Sequence, residues 1–164
     1  MFPSRQWRLE VQKESFSIPD DIRQHYAAHL ELYRTDPEKA HYWDTSVVGG
    51  TGSVATLMLT TVGRKSGQAR SVTLQYFRPS GLHVIVGSKR GMAEHPIWYR
   101  NLEATPACEI QIGAMHASAT ARPAEDEEYE RLWQLVTEEQ PQYKVYSKRT
   151  SRRIPLIILD IIKA

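Results

Sequence analysis

Apolar and polar residues alternate along this chain with two different periods, and the changes of period mark its elements. Ile22, Tyr26, His29, Leu30 and Tyr33 recur at helical spacing, with Arg23, Gln24, Glu31 and Arg34 elsewhere, which predicts an amphipathic helix. Pro19 suits its first turn, Asp20 and Asp21 suit the positive end of its dipole, and Thr35-Asp36-Pro37 ends it. Val54 to Leu59 is a continuous apolar run of strand length, led in by a flexible Gly50 to Ser53 segment. Ser71 to Phe77 is β-prone, Pro79-Ser80-Gly81 turns, and Leu82 to Val86 returns as a partner strand. Pro96 at a first helical position, with Ile97, Trp98 and Leu102 behind it, predicts a short helix.

Cys108 to Ile112 then alternates, Gly113-Ala114 turns, and Met115 to Ala121 alternates back, a hairpin with one wet face. Pro123 starts a helix with an acidic first turn, Glu125 to Glu128, and a buried stripe of Tyr129, Leu132, Trp133 and Val136. Pro141 closes it. Tyr143 and Tyr146 share a face if their segment is one helical turn, and Ile154 to Ile162 ends the chain as a buried strand. The sum is an α+β fold of about six mainly antiparallel strands with flanking helices, curled into a barrel. Residues 1–45 are assigned to an N-terminal arm, extended over residues 1–18, and the amphipathic helix; residues 46–164 form the barrel domain.

Composition narrows the function classes. The 164 residues suffice for one core, and 41% hydrophobic with 24% charged residues is ordinary for a globular chain. The one cysteine, Cys108, excludes an internal disulfide and a cysteine-rich zinc site. No N-terminal run has signal-peptide character, and the longest apolar run holds Pro155 and Asp160 and is too short to span a bilayer, so a soluble, cytoplasmic protein is expected. His25 and His29 have metal-ligand spacing but lack a third ligand, and a packed helix surface accounts for them. Gly50-Thr51-Gly52-Ser53-Val54-Ala55 resembles a dinucleotide fingerprint, but a strand follows it and the first acid afterwards is Glu94, so that reading is rejected.

Charge changes the picture most. From Thr45 to Ala93 there is no Asp or Glu, and Arg64, Lys65, Arg70, Arg78, Lys89 and Arg90 give +6, against +2 for the whole chain and therefore −4 for the rest. These cations concentrate in two bends, Thr60 to Arg70 and Gly87 to Gly91, whose glycines let backbone N–H groups approach an anion. Antiparallel pairing about Ser80 puts Arg70 and Lys89 at the same end of the sheet. The helix after His95 adds its positive end beside them. His95 itself is open to an acid–base role or a local hydrogen bond, and Trp98 and Tyr99 to core packing or ligand contact. A polyanion is the expected ligand.

Three ordered motifs, Thr60-Thr61-Val62-Gly63-Arg64-Lys65-Ser66-Gly67-Gln68-Ala69-Arg70, Gly87-Ser88-Lys89 and His95-Pro96-Ile97-Trp98-Tyr99-Arg100-Asn101-Leu102, resemble the deazaflavin-dependent nitroreductase family, and the likeness runs from about Val54 to Asp160. The resemblance implies a split β-barrel like that of flavin-mononucleotide-binding oxidoreductases. It also implies reduced coenzyme F420, a deazaflavin with a phosphodiester, a lactyl carboxylate and a glutamate tail, as hydride donor. It assigns Arg64, Lys65, Ser66, Arg70, Ser71, Val72, Thr73, Leu74 and Gln75 to the coenzyme's tail and phosphate. Val86, Gly87, Ser88 and Lys89 flank the ring and ribityl chain, and Ile97, Trp98, Tyr99, Arg100 and Asn101 line the pocket. Tyr143 approaches the ring, and Ser88 and Tyr143 are the candidates for hydrogen bonding the ring or a developing anion.

The implied acceptor is an electrophilic small molecule: a quinone, an enone or a nitroaromatic. Gln75 stands where family nitroreductases can present a tyrosine, and Gln140 brings no aromatic ahead of the Tyr143/Tyr146 pair, so the acceptor wall departs from the family's. FMN is the nearest rival cofactor, and a non-catalytic store of deazaflavin is the second reading. The basic Lys144 to Arg153 run admits peripheral membrane contact, without nucleic acid as partner, and the resemblance implies a homodimer.

Overall fold

The computed structural model describes residues 18–164, so the arm expected over residues 1–18 lies, except for Ile18, outside the described residues. Helix α1 (Asp20–Thr35) and the single turn α2 (Pro37–Ala40) lead into strand β1 (Tyr42–Asp44). Strands β2 (Ser53–Val62), β3 (Ala69–Phe77) and β4 (Val84–Val86) follow, then helix α3 (Ile97–Ala104). The hairpin β5 (Ala107–Ile112) and β6 (Met115–Pro123), helices α4 (Asp126–Glu139) and α5 (Gln142–Lys148), and strand β7 (Leu156–Lys163) complete the chain.

The strand order is β1-β2-β3-β4-β7-β6-β5, and a further β2–β5 pairing closes the last six into an antiparallel barrel. Strand β2 makes closure and splitting compatible. Its first residues pair with β1 (Trp43 opposite Val54) and its middle with β5 (Leu59 opposite Ile110), while β3 runs along its other edge. This is the split-barrel fold.

Burial follows the side-chain alternation of the strands. Leu57, Leu59, Ile85, Ile110, Ile157 and Leu159 fill the barrel, with Trp98 and Leu102 of α3 packed against them. Phe77, Val84, Leu156 and Ile158 point the other way and are covered by Tyr129, Leu132 and Val136 of α4 and Tyr143 of α5. Strand β7 is thus buried on both faces from Leu156 to Leu159, which is why its sequence is continuously apolar there.

Three local expectations need correction. A seventh strand, β1, is too short for alternation to reveal, and the glycines after it form an ordered bend rather than a flexible segment: Thr45 Oγ1 donates to Gly52 O at 2.7 Å. Pro123 ends β6 instead of opening α4, because Ala124 N donates to Leu156 O at 2.8 Å and keeps the chain on the sheet. Pro96 stands one residue ahead of α3.

Helix α1 is fastened to the barrel by its own stripe. Tyr33 Oη donates to Thr56 O at 2.6 Å, His29 Nε2 bonds Ala40 O at 2.9 Å, and Thr56 Oγ1 donates to Ala40 O at 2.9 Å. The His29 ring stacks on Trp43 at 4.5 Å, so this histidine is a packed residue, and His25 is exposed. Replacing Tyr33 by Phe removes the shortest of these buried bonds and is expected to cost about 1–2 kcal/mol. Urea denaturation measures it, and a loss below about 0.3 kcal/mol would show that α1 is not held by this contact.

Candidate functional site

The chain closes around a cleft of about 500 Å³. Strand β3 supplies one wall with Ser71, Val72, Thr73, Leu74 and Gln75; Val86, Ser88, Lys89 and Arg90 supply the next; Trp98 of α3 and Tyr143 and Tyr146 of α5 add an aromatic side. The remaining wall is α1 and β1, through Arg23, Tyr26, His29 and Trp43, with Tyr26 and Trp43 tilted against each other at 5.4 Å.

Charge in this lining is one-sided. Among the described residues Arg23, Lys89 and Arg90 border the cleft and no Asp or Glu does. Lys89 Nζ comes no closer than 3.9 Å to the exposed Glu94. Arg90 donates from Nη2 to Val48 O at 3.5 Å, a long contact, and its buried Nη1 has no acceptor among the described residues. Cations in the wall of a cleft with no acid among its described lining residues suit an anion better than a neutral ligand.

The bend that carries these cations adds backbone donors. Ser88 is right-handed (φ −74, ψ −37) and Lys89, Arg90 and Gly91 are left-handed at φ 41, 55 and 78. A right-handed residue followed by a left-handed one turns successive N–H groups toward one point, an anion-binding concavity. Two consecutive non-glycine residues in the left-handed region also store strain, each costing on the order of 1–3 kcal/mol.

Tyr143 lies in the wall, with Phe77 and Tyr146 edge-on at 5.8 and 6.0 Å. Burial, with lesser contributions from Tyr146 and Tyr26, drives its phenol far above the ordinary range, so it stays protonated and can act as a hydrogen-bond donor rather than a base. Burial also raises the Tyr26 phenol, against a lowering influence from Arg90.

Of the residues singled out in the sequence, Ser71 to Gln75, Val86, Ser88, Lys89, Trp98 and Tyr143 come together on the cleft. Arg64, Lys65, Ser66 and Arg70 lie off it, exposed on the β2–β3 bend. Strand β4 runs toward the end of the barrel that carries that bend, but its pairing with β3 stops at Tyr76–Ile85, several residues short of Arg70. Ser66 Oγ accepts from Gln68 N at 3.1 Å and caps the bend.

Helix α3 turns only one face inward. Trp98, Asn101 and Leu102 are buried at helical spacing, so Ile97 (67% exposed) and Arg100 point to solvent. Tyr99 packs against the barrel interior and the His95 ring. Asn101 braces the bend, accepting from Arg64 N at 3.1 Å and donating to Thr61 Oγ1 at 3.0 Å. Gly87 is pinned by its N–H to Pro155 O at 2.8 Å.

Sequence reasoning missed Tyr26, Trp43 and Arg23 as cleft residues. Tyr26 belongs to a stripe indistinguishable from core packing, and Trp43 sits in the strand too short to detect.

A family model described as F420H(2)-dependent quinone reductase matches residues 32–160. An F420H(2)-dependent quinone reductase of Mycobacterium tuberculosis is 41% identical over 111 residues, covering 66% of this chain and 74% of that protein. The solved structure of an F420-H2 dependent reductase, FDR-A, shares 39% identity at a TM-score of 0.58 over 64% of this chain and 93% of its own. A solved domain-swapped dimer shares 39% identity at a TM-score of 0.59, over 64% of this chain and 79% of its own. The family match begins after the part of α1 that carries Arg23, Tyr26 and His29.

Asn101→Ala strands the Thr61 hydroxyl and the Arg64 N–H, and the expected loss is about 1–3 kcal/mol of stability. Faster proteolytic nicking at the β2–β3 bend should accompany it; a bend as resistant as the wild type would show that Asn101 does not brace it.

Proposed function

The chain belongs to the F420H(2)-dependent quinone reductase family, and from that premise we propose that it binds reduced coenzyme F420 in this cleft and reduces a quinone with it. The observation that carries the reading is the cationic lining, without Asp or Glu and with no acceptor for Arg90 Nη1 among the described residues. A coenzyme with a phosphodiester and several carboxylates fits these donors; a neutral ligand would leave them unanswered.

When bound, the deazaflavin supplies a hydride to the acceptor. The protein's part is orientation, water exclusion and hydrogen bonding. Trp98, Tyr143 and Val86 give the ring an apolar slot. Ser88 and the protonated Tyr143 hydroxyl are the donors for the ring or for the oxygen on which negative charge develops, and solvent returns the proton. The concavity at Ser88–Lys89 and the Arg90 guanidinium take the phosphate side. Arg64, Lys65 and Arg70 form an outer rim for the tail. Tyr26, Trp43 and Gln75 face the acceptor, with enones and nitroaromatics as further acceptor classes for that wall.

The basic Lys144 to Arg153 run reads poorly as a membrane or nucleic-acid surface. Arg149 Nη1 donates to Arg90 O at 3.4 Å and Arg153 lies over the Tyr129 ring at 3.5 Å, so these cations are engaged within the fold. Homodimerisation is proposed on the strength of the domain-swapped relative.

Titration with coenzyme F420 and with FMN, followed by stopped-flow mixing of the reduced complex with quinones, enones and nitroaromatics, tests the reading. Coenzyme F420 should bind more tightly and quinones should oxidise it. Tighter FMN binding would overturn the cofactor, and no acceptor-dependent oxidation would favour storage. Because they are exposed, Lys65→Ala and Arg70→Ala should each weaken coenzyme binding only about two- to fivefold, and less in high salt. Unchanged affinity in both would remove the rim from the site.

A further inference from the structure

Segment 87–92 holds three consecutive left-handed residues beside the cleft, and something must offset that strain. Its carbonyls are drawn out from behind. Arg152 donates from Nη1 to Gly87 O at 3.1 Å, from Nη2 to Ser88 O at 2.7 Å and from Nε to Met92 O at 2.9 Å. Arg149 takes the carbonyl of Arg90 from the same side. In a trans peptide the carbonyl and the N–H point opposite ways, so holding Gly87 O and Ser88 O directs the N–H groups of Ser88 and Lys89 away from Arg152; the Gly91 and Met92 N–H groups instead close the bend on Ser88 O and Lys89 O.

We propose that Arg152 is a positioning residue for the coenzyme site: by clamping the carbonyls of Gly87 and Ser88 it fixes the peptides whose N–H groups belong to Ser88 and Lys89, and thereby aims those two N–H groups at the anion. The proposal rests on the coenzyme reading for its ligand but not for the clamp itself. Arg152 makes no ion pair among the described residues; its planar fork is spent on the segment, and only a guanidinium can reach three carbonyls at once. It lies in the α5–β7 connector, outside the cleft lining.

His95 completes the clamp and makes it depend on pH. Its Nδ1 accepts from Arg152 Nη1 at 3.2 Å, which requires an unprotonated Nδ1. Around this ring stand Tyr99 at 4.6 Å, the cations Arg152 and Arg100, and the carboxylate of Glu103. Burial and then Arg152 lower its pKa below the ordinary 6.5, with Glu103 opposing. A lowered folded value means the contact is fully present above 6.5 and is lost as pH falls through the folded value, when imidazolium meets guanidinium.

Two readouts on the full chain test this: amide hydrogen exchange of residues 87–92 without ligand, and coenzyme F420 affinity by fluorescence. Arg152→Lys should raise exchange in the segment and weaken binding by about tenfold each, while exchange in the barrel strands stays near wild type. Arg153→Gln, next in sequence but turned onto Tyr129, should change neither. Wild-type exchange and affinity in Arg152→Lys would overturn the clamp.

Should Arg152→Lys fail to fold, the same readouts on the wild type across pH decide. Loosening as His95 gains its proton, absent in His95→Phe, supports the clamp; no loosening overturns it. A wild-type chain that does not bind coenzyme F420 sinks the functional reading alone, and segment exchange in Arg152→Lys then settles the clamp.

Discussion

A buried guanidinium nitrogen without an acceptor is costly, and the half-buried Arg90 carries that cost at Nη1 among the described residues. A nearby acid would remove it, yet among the described residues no acid lines the cleft. Arg122 alone engages two acids, Asp160 at 2.8 Å and Glu128 at 2.9 Å, and Asp126, Glu127 and Glu128 face the positive end of α4. Charge sorted by region along the sequence is therefore sorted in space as well. The unbalanced positive potential is the constraint to which loop strain, aromatic walls and clamp all answer. It would be an odd liability in a protein with no polyanion to bind.

Topology makes the arrangement reachable. Strand β7 pairs with β4, Val86 opposite Leu156, so the connector that precedes β7 must arrive directly behind the bend that follows β4. That adjacency presses Pro155 against Gly87, where an added Cβ would meet the proline Cγ at 2.6 Å. It also brings Arg152 within reach of carbonyls more than sixty residues away in sequence. The burial of β7 on both faces fixes this register, because a slip of one residue would exchange Ile157 and Leu159 for Leu156 and Ile158 between two cores of different shape.

Much of this was legible in the residues. Period-two alternation gave the β5–β6 hairpin, helical spacing gave α1 and α4, and the missing acids between Thr45 and Ala93 return as a cleft lining without Asp or Glu among the described residues. What could not be read was whatever depends on partners distant in sequence. The carbonyl-directed role of Arg152 looks like one more cation in a basic run. Asn101 looks like a pocket amide until Arg64 N and Thr61 Oγ1 are seen to use it. Strand β1 is three residues long and exists because β2 overhangs β5, a fact of pairing that no local pattern contains.

The two halves of the cleft have different standing. Ser88, Lys89, Trp98 and Tyr143 lie within the stretch that matches the family, whereas Arg23, Tyr26 and His29 precede it. On the proposed reading, the first group holds the coenzyme and the α1 group faces the acceptor. A helix fastened through Tyr33 can change Arg23 and Tyr26 without touching that anchor, whereas His29 both lines the cleft and bonds Ala40 O. On that reading coenzyme grip and acceptor choice are set by different segments of chain, and substitution at Tyr26 alters the second while leaving the cations of the 87–91 bend in place.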